Sequence, residues 1–202
     1  MGDDKKLSDA VFIDRDGVIN EDRGYVHRIE DFVFLPGAIA GMKIFQDMGY
    51  KIVIVTNQAG IARGMYSESD FELLTDHMHK ILAANNVMVS GVYHCPHHPN
   101  GIIEHLTSIC NCRKPRPGML LEAAKNLGLN LESSVLIGDK CSDIEAGISA
   151  GVPLNILIRK NMLAKEESCQ NASVVCKNLK IAALWVKHNI RRIQARSATL
   201  IN

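Results

Sequence analysis

The sequence predicts an α/β fold, a doubly wound, Rossmann-like parallel sheet with helices on both faces. Three observations carry that reading. Short apolar runs recur at 11–13, 51–55 and 134–137, and runs of that length bounded by polar residues read as buried strands. Amphipathic stretches of helical period separate them, and repeated strand–helix units imply parallel strands with helices covering both faces. Each run then stops at residues that carry chemistry: Asp14 and Asp16, Thr56 and Asn57, Asp139. Ligands of open α/β sheets gather at the carboxyl ends of the strands.

Taken in order, 11–13 is the first strand, and Gly17 lets the chain turn sharply after two carboxylates spaced i, i+2. Residues 18–36 are irregular and polar with interspersed aromatics, and are expected to form a small hairpin over the carboxylates. Pro36-Gly37 opens a helix to about Gly49, with Ile39, Met42, Ile44, Phe45 and Met48 as its apolar positions. The β-branched run 51–55 is the second strand. Residues 59–66 read as a loop, and Ser67 with Asp70 three residues on starts a helix to about Asn85. A third strand follows at 87–93, and 94–115 is a loop holding three cysteines. Pro117-Gly118 opens a helix that Gly128 ends. A fourth strand at 134–137, a helix at 141–149, and a strand at 153–158 come next. The tail holds a short strand at 173–175 and a helix at 178–190, whose basic end (Lys187, Arg191, Arg192, Arg196) reads as a solvated face.

The chain of 202 residues is 47% hydrophobic with a net charge of +1. That suits a single domain over 1–202 with one filled core, too short for two large ones. Near-neutral charge gives no electrostatic case for nucleic acid or an acidic membrane. The start is polar, and no run approaches the length of a bilayer span. The expectation is a cytoplasmic monomer with a small-molecule partner, no nucleic acid and no membrane.

Phosphoryl transfer needs a nucleophile, a proton donor for the leaving oxygen, a cation, and donors to the equatorial oxygens. Asp14 suits the nucleophile, forming an aspartyl-phosphate. An anionic carboxylate approaches phosphate only with charge compensation, which Mg²⁺ on Asp14, Asp139 and the backbone near Asp16 would supply. Asp16 is placed to protonate the leaving oxygen and then activate water. Thr56 and Lys114 would hold the phosphoryl oxygens. Asp143, at a helix start, reads as a supporting carboxylate or cap rather than a direct metal ligand.

DRDGVIN at 14–20, TNQAG at 56–60, CRKPRPGM at 112–119 and GDKCSD at 138–143 resemble, in order, the four motifs of the haloacid dehalogenase (HAD) superfamily of phosphatases. The resemblance implies a HAD-like fold with no large cap domain. It also implies Asp14 as nucleophile, Asp16 as general acid/base, and Thr56 and Lys114 as phosphoryl stabilisers. Mg²⁺ would be held by Asp14, Asp16 (through its carbonyl) and Asp139. Substrate contacts would come from Asp22, Arg23, Gly24 and Tyr25 in the excursion, from Asn57, Gln58 and Ala59, and from Arg113 and Lys140. GYVH, CPHHP and CNCRKPRPGM point within the superfamily to a phosphatase of sugar bisphosphates. Histidinol phosphate is the alternative substrate. A non-catalytic zinc-stapled domain is the remote alternative, and it would have lost Asp14 or Asp16.

Cys95, His97, Cys110 and Cys112 form a second constellation. Three thiolates and an imidazole make a closed tetrahedral set of the kind that holds structural Zn²⁺. The loop at 94–115 lacks apolar periodicity, so a metal staple would order it and present Arg113 and Lys114. His94, His98 and His105 compete as ligands, with His98 able to displace His97. Cys141, Cys169 and Cys176 have no assigned role.

Overall fold

The computed structural model describes residues 7–160 and 169–199, with side chains described as far as residue 189. Six strands form one parallel sheet in the order β3-β2-β1-β4-β5-β6. They are β1 (Ser8–Ile13), β2 (Lys51–Asn57), β3 (Val89–Cys95), β4 (Leu129–Gly138), β5 (Leu154–Ile158) and β6 (Val174–Cys176). The helices are α1 (Ala38–Asp47), α2 (Ala59–Ala62), α3 (Glu68–Ala84), α4 (Gly118–Leu127), α5 (Cys141–Ser149) and α6 (Leu179–Thr199).

Strand alternation divides the core in two. Val11, Ile13, Ile52, Ile54, Val135 and Ile137 face one side and pack against Met42 and Phe45 of α1, Leu74 and Met78 of α3, and Ala182 and Val186 of α6. Ala10, Phe12, Val53, Val55 and Leu136 face the other and meet Met119 and Leu120 of α4 and Ile144 of α5. Period-two side chains on strands buried on both faces account for nearly unbroken apolar runs in the sequence.

Most element positions agree with expectation, and the departures have local causes. β4 starts earlier than 134 because Leu129 and Asn130 pair with Ser8 and Asp9 before a bulge. β3 runs to Cys95 because His94 and Cys95 pair with Thr56 and Asn57, while Val87 closes the end of α3 through its N–H to Leu82 O at 2.9 Å. The Ser67–Asp70 capping box forms as predicted, at 3.1 and 2.8 Å. The loop at 59–66 contains the one-turn α2. The last helix continues to Thr199, and the side chains of Arg191, Arg192 and Arg196 lie outside the described residues.

The excursion at 18–36 is not a hairpin. Among the described residues it carries a 3₁₀ turn at Ile29–Asp31 and a single antiparallel bridge between Asn20 and Phe34. Val18, Ile19, Val26 and Phe32 are buried in the core instead, and the guanidinium of Arg15 donates to Val26 O at 2.7 Å. Burying four apolar side chains outweighs what an isolated two-stranded ladder would contribute.

Candidate active site

The carboxyl ends of β1, β2 and β4 converge on one cleft of about 430 Å³. Asp14 directly follows β1, and Asp139 directly follows β4. Oxygens of Asp14, Asp139 and Asp143 all lie within 4.8 Å of one another. Lys114 is buried among them, its Nζ donating to Asp14 Oδ1 at 2.8 Å and Val55 O at 2.8 Å and lying 2.6 Å from Asp143 Oδ1. Burial alone would depress this lysine, but Asp14 and Asp143 outweigh it and hold the pKa above the usual range. Asp143 has two tasks. Its Oδ2 accepts from Lys140 N at 2.9 Å, capping α5, while Oδ1 anchors Lys114. Asn57 clamps the backbone of Lys114 through a reciprocal pair at 3.1 Å.

Three carboxylates against one buried ammonium leave an excess of negative charge. Asp139 Oδ1 is buried without a hydrogen-bond partner among the described residues. Gly17 has φ +89°, and a Cβ there would collide with the Asp139 carboxylate, so only glycine lets this side chain close on the turn. An unsatisfied buried carboxylate oxygen beside two more carboxylates fits an oxygen-ligated divalent cation such as Mg²⁺. Burial, then the charge of Asp14, pushes the pKa of Asp139 from its ordinary 3.8 up to about 8. Burial also raises Asp14, with Lys114 opposing and Asp143 adding to the rise.

A pH dependence follows. Between those two values the folded chain keeps a proton at Asp139 that the unfolded chain has released, so stability falls as pH rises from about 4 to about 8. The expected result for metal-free protein is a melting midpoint that drops between about pH 5 and about pH 8. Added Mg²⁺ flattens the slope by favouring the ionised carboxylates. Melts across that range, with and without Mg²⁺, check it.

Asp16 is held by a cradle that the sequence did not reveal. Arg15 donates to it from Nε at 3.3 Å and Nη2 at 3.0 Å, Asn20 Nδ2 at 2.9 Å and Gln58 Nε2 at 3.2 Å. Arg15 is buried and also reaches Gln58 Oε1 at 3.3 Å. Gln58, expected as a substrate contact, is 2% exposed, and its side chain is engaged in orienting its neighbours. It donates to Thr56 Oγ1 at 2.7 Å and accepts from Tyr66 OH at 2.5 Å. The nearest sequence signal was the single arginine between the two aspartates of DRD.

Asp22, Gly24, Tyr25, Asn57, Gln58, Ala59, Arg113 and Lys140 line the cleft with Asp14, Asp16, Thr56 and Lys114. Asp22 receives Lys140 Nζ at 3.2 Å, tying the excursion to the end of β4. Arg23 departs from expectation. It is not among the cleft-lining residues, and its guanidinium pairs with Glu21 at 2.7 Å. Asp22 Oδ1 accepts from Gly24 N at 3.0 Å in a tight turn, and Arg23, at the centre of that turn, pairs with Glu21 instead of entering the cleft. Arg63, Tyr66, His98 and Ser142 also line the cleft, and sequence reasoning assigned none of them there. Arg63 is the basic residue of GIARG just after the second motif, the one signal that pointed to it.

The zinc-type ligands converge as well. Cys95, Cys110 and Cys112 sulfurs are 3.2–3.4 Å apart, and His97 Nδ1 lies 3.4 Å from Cys112 and 3.8 Å from Cys95. Ligands about 2.3 Å from a shared tetrahedral centre would be spaced by about 3.8 Å, so the four atoms outline a slightly compact site for one metal ion. Burial, then the neighbouring thiols, raises the pKa of Cys95, which leaves it protonated unless a cation is present. His98 is directed to the cleft instead, and His94 pairs with Glu68 at 2.6 Å.

Fold and site together define a HAD-type phosphatase, a phosphoric monoester hydrolase. The family model described as "HAD-hyrolase-like" matches residues 111–182. Photorhabdus laumondii D-glycero-alpha-D-manno-heptose-1,7-bisphosphate 7-phosphatase is 49% identical over 150 residues, covering 74% of this chain and 82% of that protein. The Escherichia coli K12 D-glycero-beta-D-manno-heptose-1,7-bisphosphate 7-phosphatase is 47% identical over 150 residues, covering 74% and 78%. The crystal structure of a D,D-heptose 1,7-bisphosphate phosphatase from B. bronchiseptica, complexed with magnesium and phosphate, superposes with a TM-score of 0.78 at 28% identity, covering 90% and 99%. The chain belongs to the family of the D-glycero-D-manno-heptose-1,7-bisphosphate 7-phosphatases, within the HAD-like hydrolases. Among the described residues no helix is long and apolar enough to cross a membrane.

Proposed function

We propose that this chain removes the 7-phosphate from D-glycero-D-manno-heptose 1,7-bisphosphate, with Mg²⁺ as cofactor and one structural Zn²⁺. The observation that carries the chemistry is the buried Asp14–Lys114–Asp143 arrangement beside Asp139, at the strand ends of a fold whose relatives bear that activity in their names.

Asp14 and Asp139, with the carbonyl of Asp16, would hold the Mg²⁺, which when bound offsets the charge between carboxylate and phosphate. Asp14 attacks phosphorus in line as the bond to the C7 oxygen breaks, and Asp16 gives that oxygen its proton. Asp16, now anionic, takes a proton from water, whose oxygen displaces Asp14 from the acyl phosphate and yields inorganic phosphate. Lys114 and the Thr56 hydroxyl steady the equatorial oxygens. The donors around Asp16 keep its carboxylate aimed into the cleft throughout. Cys95, His97, Cys110 and Cys112 would hold the Zn²⁺, a structural staple for the loop that ends in Arg113 and Lys114.

The test is phosphate release with Mg²⁺ from the α- and β-anomers of the heptose bisphosphate and from histidinol phosphate. The expected result is a preference of at least about 100-fold in kcat/KM for one heptose anomer over histidinol phosphate. Preference for histidinol phosphate would overturn the substrate assignment while leaving the aspartyl-phosphate chemistry intact. The winning anomer distinguishes the two activities that its relatives name.

A further inference from the structure

Gln58 bridges the catalytic acid and the phosphoryl stabiliser, and all four hydrogen-bonding places of its buried amide are filled. Nε2 donates to Thr56 Oγ1 at 2.7 Å and to Asp16 Oδ2 at 3.2 Å. Oε1 accepts from the Tyr66 hydroxyl at 2.5 Å and from Arg15 Nη2 at 3.3 Å. Arginine only donates and a carboxylate only accepts, so the amide has one orientation, oxygen toward Arg15 and N–H toward Asp16. The Tyr66 ring that holds the oxygen end is itself wedged. It stacks on His27 with the ring centres 4.9 Å apart, and a Cβ on Gly60 would collide with it.

The two oxygens of Asp16 are not equivalent. Oδ1 receives three hydrogen bonds, from Arg15 Nε at 3.3 Å, Arg15 Nη2 at 3.1 Å and Asn20 Nδ2 at 2.9 Å, which leave it no place for a proton. Oδ2 receives Arg15 Nη2 at 3.0 Å and Gln58 Nε2 at 3.2 Å. The hydrogens of Arg15 Nη2 are divided among four acceptors, with Val26 O the nearest at 2.7 Å. One N–H of Gln58, in contrast, serves Oδ2 alone. When Asp16 carries the proton it delivers, that proton therefore sits on Oδ2. The Gln58 N–H beside it turns the O–H the other way, into the cleft that Asp16 lines.

The polarity of the amide decides where that proton goes. An oxygen in place of the N–H would accept the Asp16 O–H and hold the proton back from the substrate. Tyr66 and Arg15, both donors onto Oε1, exclude the flipped amide. The same polarity makes Thr56 an acceptor toward Gln58, so its own O–H is left to the phosphoryl oxygens.

We infer that Gln58 is a positioning residue for the proton transfer, its amide N–H directing the O–H on Asp16 Oδ2 at the leaving oxygen. The inference rests on the reading of Asp16 as general acid above. In the step it serves, the O–H bond of Asp16 breaks together with the P–O bond to the sugar. The proton passes to the sugar oxygen, and Asp16 is left as a carboxylate.

The test compares kcat/KM on the heptose 1,7-bisphosphate, whose alkoxide needs a proton to leave, and on para-nitrophenyl phosphate, whose phenolate leaves without one. Wild type, Gln58→Met and Gln58→Glu are measured, with Asp16→Asn as the reference for a lost acid. The expected result is a heptose/aryl ratio about 10-fold below wild type in Gln58→Met, through kcat rather than KM. That is part of the about 10²–10⁴-fold that general acid catalysis supplies. Gln58→Glu keeps the size and the bonds from Tyr66 and Arg15 but reverses the polarity facing Asp16, and its ratio is expected to fall at least as far. An unchanged ratio in Gln58→Met, or a wild-type ratio in Gln58→Glu, would overturn the inference and leave the residue a spacer between Tyr66 and Arg15. Should Gln58→Met fail to fold, Gln58→Glu decides alone: a lowered ratio supports the inference, and a wild-type ratio overturns it. Equal losses on both substrates in Asp16→Asn would overturn the assignment of the acid, and the inference with it.

Discussion

Asp14→Asn is expected to lose at least about 10⁴-fold in kcat, the scale reached when a covalent nucleophile is removed. The amide can neither attack phosphorus at a useful rate nor carry the negative charge that the cation opposes. Stability moves the other way. Asp14, Asp139 and Asp143 crowd within 4.8 Å around one lysine, and the substitution lowers the number of carboxylates from three to two. Lys114 is not orphaned, because Asp143 at 2.6 Å and Val55 O at 2.8 Å still receive it. The metal-free variant is therefore expected to melt no lower than wild type. Its response to Mg²⁺ shrinks, since a ligand held at 100 times its Kd adds about 2.7 kcal/mol and a weakened site adds less. Phosphate release and melts with and without Mg²⁺ check both halves. A variant that is inactive because it is unfolded would sink this account of Asp14.

Cys112→Ser carries the second large effect. The variant is expected to fall from about one bound zinc per chain to almost none, as read by metal analysis of the purified protein. Structural zinc supplies about 10–16 kcal/mol to small zinc-finger peptides. Here a six-stranded sheet with apolar clusters on both faces supplies a core that a zinc finger lacks, so the expected loss is only part of that, about 3 kcal/mol or more. Catalysis suffers because Cys112 is followed directly by Arg113 and Lys114. The Asn57 clamp keeps Lys114 near β2, whereas Arg113 depends on the loop. A drop of about 100-fold in kcat/KM for the bisphosphate is expected, the cost of misplacing groups by about 1 Å. Zinc-free wild-type protein with full activity would show that the cluster is an ordinary group of thiols.

Much of the site is legible in the sequence. Apolar runs ending in Asp14, Thr56 and Asp139 marked three strands and one end of a sheet, because strand period and strand termini are local properties. The capping box at Ser67 and Asp70 was legible for the same reason: both partners lie within one turn. Cys95, His97, Cys110 and Cys112 are grouped by residue type, with His98 as a competitor for His97; the fold sets His97 Nδ1 3.4 Å from Cys112 Sγ and His98 Nε2 3.2 Å from Arg63.

What the sequence determined by itself was the chemistry available: a parallel sheet, carboxylates at its carboxyl end, a lysine in the following loop and a set of soft metal ligands. What only the tertiary structure decided was which group faces which. Lys114 meets Asp14 across 100 residues, Arg15 meets Gln58 across 43, and Lys140 meets Asp22 across 118. Those pairings depend on how helices pack on the two faces of the sheet and on the burial of the excursion's apolar side chains. The same packing turned Arg23 outward and brought Arg63 inward. Local sequence carries periodicity and caps; the partner of a buried charge is set by whichever distant segment shares its cavity.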